Sequence, residues 1–366
     1  MIKHFTKRRA TLLLITSAAS LIASLIVAAP ISPISWTPPN DLLVSDACER
    51  APAATVSVLA EGFPGSADGL AFDQNGQLLA AISDGSIIAV DQRTSSWTTI
   101  SQGGTFLTGL TAQPDGTIYA VDERIGGLYS ARSGQALSPI LVAFGKQRLL
   151  WSNDVTSSPN GRVYMTTTAT GRNLDDFFFE VLEHRGTGKL LEYDPHTGSA
   201  QLLRNDLNMT NGIAVTSDRR LLVAESSVYG FQIMNMAGRT LSQHYGLPGF
   251  TGNIRASDRP DVFWITLLSP RSKLIDATSQ RPWMRKLLSW LPNRVRPKPQ
   301  ALPCLVEIAL AQDGQVKLRA LRLTAPFPVP SMSTAIERGG KLYFSPASVV
   351  DGSRGKLLQA SLPLNW

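Results

Sequence analysis

Six positions in this 366-residue chain stand at one point of a recurring pattern, each opening an apolar run: Asp68, Thr108, Asn153, Asn211, Gly252 and Met332. Four of the six carry a side-chain oxygen, and three of those are Asp or Asn, types that strands disfavour. Gathered around one axis, carboxylate and amide oxygens are the donors that a hard cation such as Ca²⁺ takes. Asp68, Asn153 and Asn211 are therefore the candidate metal ligands, and Asn253, one residue past Gly252, is a further one. A metal held there would polarise an ester carbonyl and stabilise the developing oxyanion while water attacks. The water needs a base. Asp154, next to Asn153, is one candidate, and Glu225, at the end of a second strand, is the other. Turn formation alone would account for Asn211-Gly212 or Asn153-Asp154 singly. Three such residues in one register favour a site.

Other chemistries find no support in the residues. No G-x-S-x-G elbow is present for a serine hydrolase of the α/β type. The four histidines, His4, His184, His196 and His244, do not form an H-E-x-x-H zinc motif. The net charge of +7 is concentrated at Lys3, Lys7, Arg8 and Arg9 and again between Arg281 and Lys298. No nucleic-acid-binding module accompanies either cluster, so no nucleic-acid partner is expected.

What keeps the six positions in register is an internal repeat. Residues 68–76 lead into 78–82, 108–116 into 118–122, 153–161 into 163–167, 211–219 into 221–225, and 252–260 into 262–265; a weaker copy runs 332–340 into 342–344. Each reads as strand, tight polar turn, strand. Several continue into a third strand, as at residues 86–91 and 189–194. Three or four strands repeating about every forty residues predict an all-β, six-bladed β-propeller, here over residues 51–366. The early strand 56–59 is expected to complete the last blade. Residues 169–186, with Phe177, Phe178 and Phe179, and residues 269–303 are insertions after second strands. Both are expected to overhang the channel mouth, supply an apolar roof and, in the second case, form a helical insertion. There Trp283, Leu287, Trp290 and Leu291 fall on one helical face with Arg281 and Arg285 opposite. That suits either a helix on a membrane surface, through residues 281–298, or one packed on the propeller mouth.

Residues 11–29 form an apolar run of about nineteen residues, long enough for a transmembrane helix. The Lys/Arg cluster before it keeps the N-terminus cytoplasmic. Residues 1–30 are therefore expected to be a cytoplasmic tip and membrane anchor, with a cleaved signal peptide as the alternative. Residues 31–50 read as a Pro-rich linker. The propeller would then be membrane-anchored and extracytoplasmic, in a periplasm, a lumen or at the cell exterior. Cys48 and Cys304 either pair, as an exported chain permits, or stay unpaired.

The motifs Ser152-Asn-Asp-Val155, LEHRGTGKLLEYD at 182–194, NGIAV at 211–215 with VAES at 223–226, GFTGNI at 249–254, PWMRKLL at 282–288 and GKLYF at 340–344 together resemble one group. It is the strictosidine-synthase-like and adipocyte plasma-membrane-associated-protein family, set beside paraoxonases and gluconolactonases among six-bladed propellers. The resemblance implies a Ca²⁺-dependent hydrolase of small esters or lactones. Hydrolases of this kind hold Ca²⁺ with a Glu in the first blade, Asn in the third and fourth, and Asp in the fifth. Asn153 and Asn211 match, Asp68 stands for the Glu, and Gly252 replaces the Asp. The catalytic Glu of strictosidine synthase has no counterpart in residues 328–332, which disfavours a metal-independent lyase of that type. The empty Gly252 position leaves a non-catalytic ligand-binding propeller as the other alternative.

Overall fold

The computed structural model describes residues 17, 20–40, 47–311, 314–347, 355–364 and 366. Six four-stranded antiparallel blades surround a central channel. Blade 1 comprises Ala67–Phe72, Leu78–Ile82, Ser86–Val90 and Trp97–Gln102, and blade 2 Leu107–Ala112, Thr117–Asp122, Leu128–Arg132 and Ser138–Leu141. Blade 3 holds Ser152–Ser157, Val163–Thr167, Gly188–Asp194 and Ser199–Leu207; blade 4 holds Thr210–Val215, Arg220–Glu225, Gly230–Asn235 and Thr240–Tyr245. Blade 5 is Gly249–Ala256, Val262–Pro270, Cys304–Leu310 and Val316–Thr324, with Ala53–Thr55 added in parallel at its edge. Blade 6 takes Met332–Arg338, Lys341–Pro346 and Lys356–Ser361 from the end of the chain and Ser57–Glu61 from its start. Pairing Ser57–Glu61 with the last strand closes the ring, as the run at 56–59 leads one to expect.

Blade faces stack on one another, so middle strands are buried on both sides. This is why Leu78–Ile82 and Ser86–Val90 read as unbroken apolar runs and not as alternating ones. Between blades 4 and 5, Leu222, Phe231 and Ile233 meet Phe263, Ile265, Val306 and Ile308. Cys48, on helix α1 (Ala47–Arg50), bonds to Cys304 of blade 5 with Cα atoms 5.7 Å apart, resolving the open choice in favour of the disulfide.

Two expectations need correction. No helix among the described residues is long and apolar enough to cross a membrane. The described part of the expected span is helical at residue 17 and over residues 20–27. Residues 11–16, 18 and 19 of that span lie outside the described residues. The transmembrane anchor, and the membrane-anchored localisation and membrane partner built on it, are therefore not supported.

The second concerns which face of the 281–298 segment turns inward. Helix α2 (Phe177–Glu183) lies in the first insertion, and helices α3 (Lys273–Thr278) and α4 (Pro282–Leu288) lie in the second. On α4 Arg285 is fully buried, while Trp283 is 50% exposed. The Arg285 guanidinium donates to the carbonyls of Leu182, Ile34 and Ser279. It thereby ties both insertions to the Pro-rich segment. That segment is extended and docked. Ser32 N–H donates to Glu183 Oε1 at 2.6 Å, Ile34 N–H to the Glu183 carbonyl at 3.1 Å, and Trp36 stacks on His184 at 3.8 Å.

Candidate active site at the channel mouth

Every inner strand carries a β-bulge near its start, and the bulge aims a side chain at the channel. Ala67 pairs with Ile82 and Leu70 with Ala80, so Asp68 and Gly69 share one partner position. The same shift recurs at Thr108, Asn153, Asn211 and Gly252. In blade 6 Met332 pairs with Pro346, as Ala67 does with Ile82, and the bulge falls on Ser333. The sixth ring position is therefore Ser333; the apolar Met332 packs into the core between blades 5 and 6. A repeated hydrogen bond supports this register. The second-strand hydroxyls of Thr166, Thr266 and Ser345 donate to the carbonyls of Asn211, Ser333 and Asp68, the ring residues of the next blades. Close approach at the axis explains the glycine after Asp68 and after Asn211. A Cβ on Gly69 would lie 2.1 Å from Thr108 O, and one on Gly212 2.2 Å from Ile254 N.

Beneath this ring the channel is plugged. Arg255 of blade 5 reaches across to Asp154 of blade 3, Nη1 to Oδ2 and Nη2 to Oδ1, each at 2.7 Å. Asp154 Oδ2 also accepts from the Ile213 N–H at 2.9 Å.

Above it lies a second ring, formed by the residue that follows each second strand. The N–H groups of Ser83, Glu123, Thr168, Ser226 and Ala347 donate to the carbonyls of Ser66, Phe106, Trp151, Met209 and Ser331, one step ahead of each inner strand. Leu268 takes the fifth-blade place, after the Thr251–Leu267 pair. Glu123 is its carboxylic member. Its Oε1 accepts from Trp151 Nε1 at 2.7 Å and lies 3.5 Å from Asn153 Nδ2.

Asp68 and Glu123 line one cavity of about 790 Å³ together with Asn153 and Asn211. Its walls are apolar, with Phe177, Phe178, Val181 and Leu182 from α2 packed in one cluster with Phe250 and Ile275. Burial raises both carboxylates. Asp68 is pushed up to about 6, against the hydrogen bond from Ser333. Glu123 is pushed up to about 8 by burial and then by the nearby Asp68 charge. Near neutrality Asp68 is mostly ionised and Glu123 mostly protonated.

The sequence-derived residues separate into two sets. Asp68, Asn153 and Asn211 face the cavity together. Asn253 lies behind them, its Nδ2 donating to Asp68 Oδ1 at 3.1 Å and to Thr334 Oγ1 at 2.7 Å. Asp154 is held by Arg255 in the plug. Glu225 accepts from Asn208 N–H at 2.7 Å and from the side chains of Asn208, Gln232 and Tyr245, away from the cavity lining. Glu123 escapes a search of the first ring because it belongs to the second. A signal was available: Glu123, Thr168 and Ser226 each follow the end of a second strand.

Among the described residues no group of three or more His, Cys, Asp or Glu is placed to hold a metal. The cavity floor offers two carboxylates and the amides of Asn153 and Asn211, an all-oxygen donor set that fits a hard cation. The buried Asn253 Oδ1, beside Asp68, has no hydrogen-bond partner. Gly252 cannot contribute, since a Cβ there would sit 2.4 Å from Thr266 Oγ1.

A family model for strictosidine synthase matches residues 153–230, from the ring asparagine of blade 3 into the third strand of blade 4. Adipocyte plasma membrane-associated protein of Salmo salar is 28% identical over 194 residues, covering 49% of this chain and 46% of that protein. The chain spans about half the length of the curated relatives it matches. A gluconolactonase from Xanthomonas campestris superposes with a TM-score of 0.58 at 12% identity, covering 92% of this chain and 98% of its own. Regucalcin from Agrobacterium tumefaciens, a calcium-binding protein, superposes with a TM-score of 0.56 at 13% identity, covering 85% and 96%. At such identities these two likenesses show the fold.

Proposed function

From a chain that is a six-bladed β-propeller related to the strictosidine-synthase-like and adipocyte plasma membrane-associated proteins, we propose a hydrolase of small esters or lactones working at the channel mouth. The observation that carries this reading is the pair of cavity carboxylates, Asp68 near 6 and Glu123 near 8, beneath an apolar cap. Two titratable groups whose pKa values are pushed apart are a signature of acid–base work. A gluconolactonase shares the fold, and so does a calcium-binding regucalcin, which supports both the reaction class and the cation.

Asp68, Asn153 and Asn211 would hold Ca²⁺, with Asn253 orienting the Asp68 carboxylate. When bound, the cation supplies charge that polarises a carbonyl and favours an oxyanion. Glu123 is the proton carrier. In its ionised form, which pH above about 8 populates, its carboxylate takes a proton from water as the water oxygen bonds the acyl carbon. It returns that proton to the departing alkoxide as the ester C–O bond breaks. The Trp151 N–H fixes the Glu123 carboxyl, and the cap helix excludes bulk water. Asp154 and Glu225, the bases first suggested by position, are engaged by Arg255 and by Asn208, Gln232 and Tyr245.

The test is turnover of an aryl-ester and lactone panel with and without a chelator. Turnover that falls with chelation and in both Asp68→Asn and Glu123→Gln supports the proposal. Chelator-insensitive turnover, or none across the panel, removes it. The filled space at Gly252 favours a second reading, a propeller that binds its ligand without converting it. That reading predicts saturable binding with no product.

A further inference from the structure

The rim of the cavity carries charge opposite to its floor. Arg271, Lys273, Arg296 and Lys298 line it, and apart from the two floor acids Asp175 is the lone carboxylate lining it among the described residues. Lysines on a solvated edge alone would mean little. The arginines are fixed. Arg271 lies 4.7 Å over the Tyr229 ring and 3.2 Å from Asp276. Arg296 lies 4.6 Å and 4.9 Å over Phe178 and Phe179, with Nε donating to the Leu291 carbonyl at 2.9 Å. Among the described residues no carboxylate pairs with Arg296, so its outward donors are available at the entrance of an apolar cavity. The cavity volume of about 790 Å³ is in the range that encloses a drug-sized molecule.

We infer that the ligand is an amphipathic anion, with an apolar chain along the cap helix and a carboxylate or phosphate at the Arg296 rim. Only the placement of its reactive ester or lactone group at the Asp68–Glu123 floor rests on the hydrolase reading. The preference for an anionic head rests on the rim alone. A positively charged head would meet Lys273, Arg296 and Lys298, since Arg271 is paired with Asp276, and a neutral one would leave the Arg296 donors unused.

The experiment is a calorimetric titration of the full chain. The probes are dodecanoate, dodecyl phosphate, dodecanol and dodecyltrimethylammonium. At low ionic strength one of the anions should bind about ten-fold more tightly than the alcohol, the scale of a hydrogen bond to a charged group. The ammonium should bind most weakly. The tighter of the two anions identifies the head group. The preference should shrink in Arg296→Gln, in the exposed-site variant Lys298→Glu, and with added salt. Equal binding of anion and alcohol, or tightest binding of the ammonium, overturns the inference. Because no turnover is read, anion-blind binding leaves the hydrolase proposal standing, and absent hydrolysis leaves an anion preference standing.

Discussion

Arg255 clasps Asp154 with two 2.7 Å contacts across the channel, joining blade 5 to blade 3. Both side chains are buried, Asp154 completely. Removing one charge of such a pair strands the other without compensation, which costs about 3–5 kcal/mol. Asp154→Asn should therefore lower the urea midpoint markedly. Pairing Asp154→Leu with Arg255→Met should recover most of the loss, since apolar replacement of both partners is often neutral or better. If Asp154 were instead a general base, its Asn variant would fold as the parent does and lose only turnover.

Gly252 stands where a fifth-blade carboxylate would complete the oxygen ring. The neighbours have filled the space: a Cβ there would meet Thr266 Oγ1 at 2.4 Å, Leu268 Cδ2 at 3.0 Å and Ser333 O at 3.2 Å. Gly252→Asp is expected to destabilise by about 1–3 kcal/mol through overpacking, without raising calcium affinity by calorimetry. A variant with parent-like stability and tighter calcium binding would show that Thr266 and Leu268 yield.

The first ring is legible in the sequence because a bulge recurs at one offset of the repeat, which brings Asp68, Asn153 and Asn211 into alignment. Blade 6 slipped by one, since Met332 shares the apolar character of the inner strand and Ser333 differs from its counterparts in type. Glu123 does not stand out in the sequence because its register is set by second-strand ends, where Asp122 and Glu225 look equally placed. Asp122 spends its oxygens on the N–H groups of Thr105, Phe106, Arg124 and Ile125. Nor could the residue pattern decide which face of α4 turns inward. Trp283 and Trp290 suggested the apolar face, yet the space beneath is lined by carbonyls, and carbonyls select a guanidinium.

That guanidinium provides a test of the cap. Arg285→Met retains an unbranched apolar stem and removes the donors to Leu182, Ile34 and Ser279. Each buried carbonyl left without its partner costs about 1–3 kcal/mol. The expected result is faster amide exchange in residues 31–37 and in α2, with the blade strands still protected. Uniform loss of protection across the propeller would mean that cap and blades unfold as one unit.

Glu123 predicts the pH dependence. Its folded pKa of about 8 lies above the ordinary 4.5. The folded state therefore holds the proton more tightly than the unfolded chain over that interval. The stability that comes from this is fully present below the ordinary value and is lost as pH rises through about 8. Asp68 adds the same sign at lower pH, between 3.8 and about 6. Denaturant midpoints of the metal-free protein should fall from mildly acidic to mildly alkaline pH, and Glu123→Gln should flatten the upper part of that fall. A divalent cation favours the ionised carboxylates, so added Ca²⁺ should stabilise the parent more on the alkaline side than on the acidic side. An identical pH slope in parent and Glu123→Gln would show that Glu123 ionises without hindrance, and the acid–base role assigned to it would go with it.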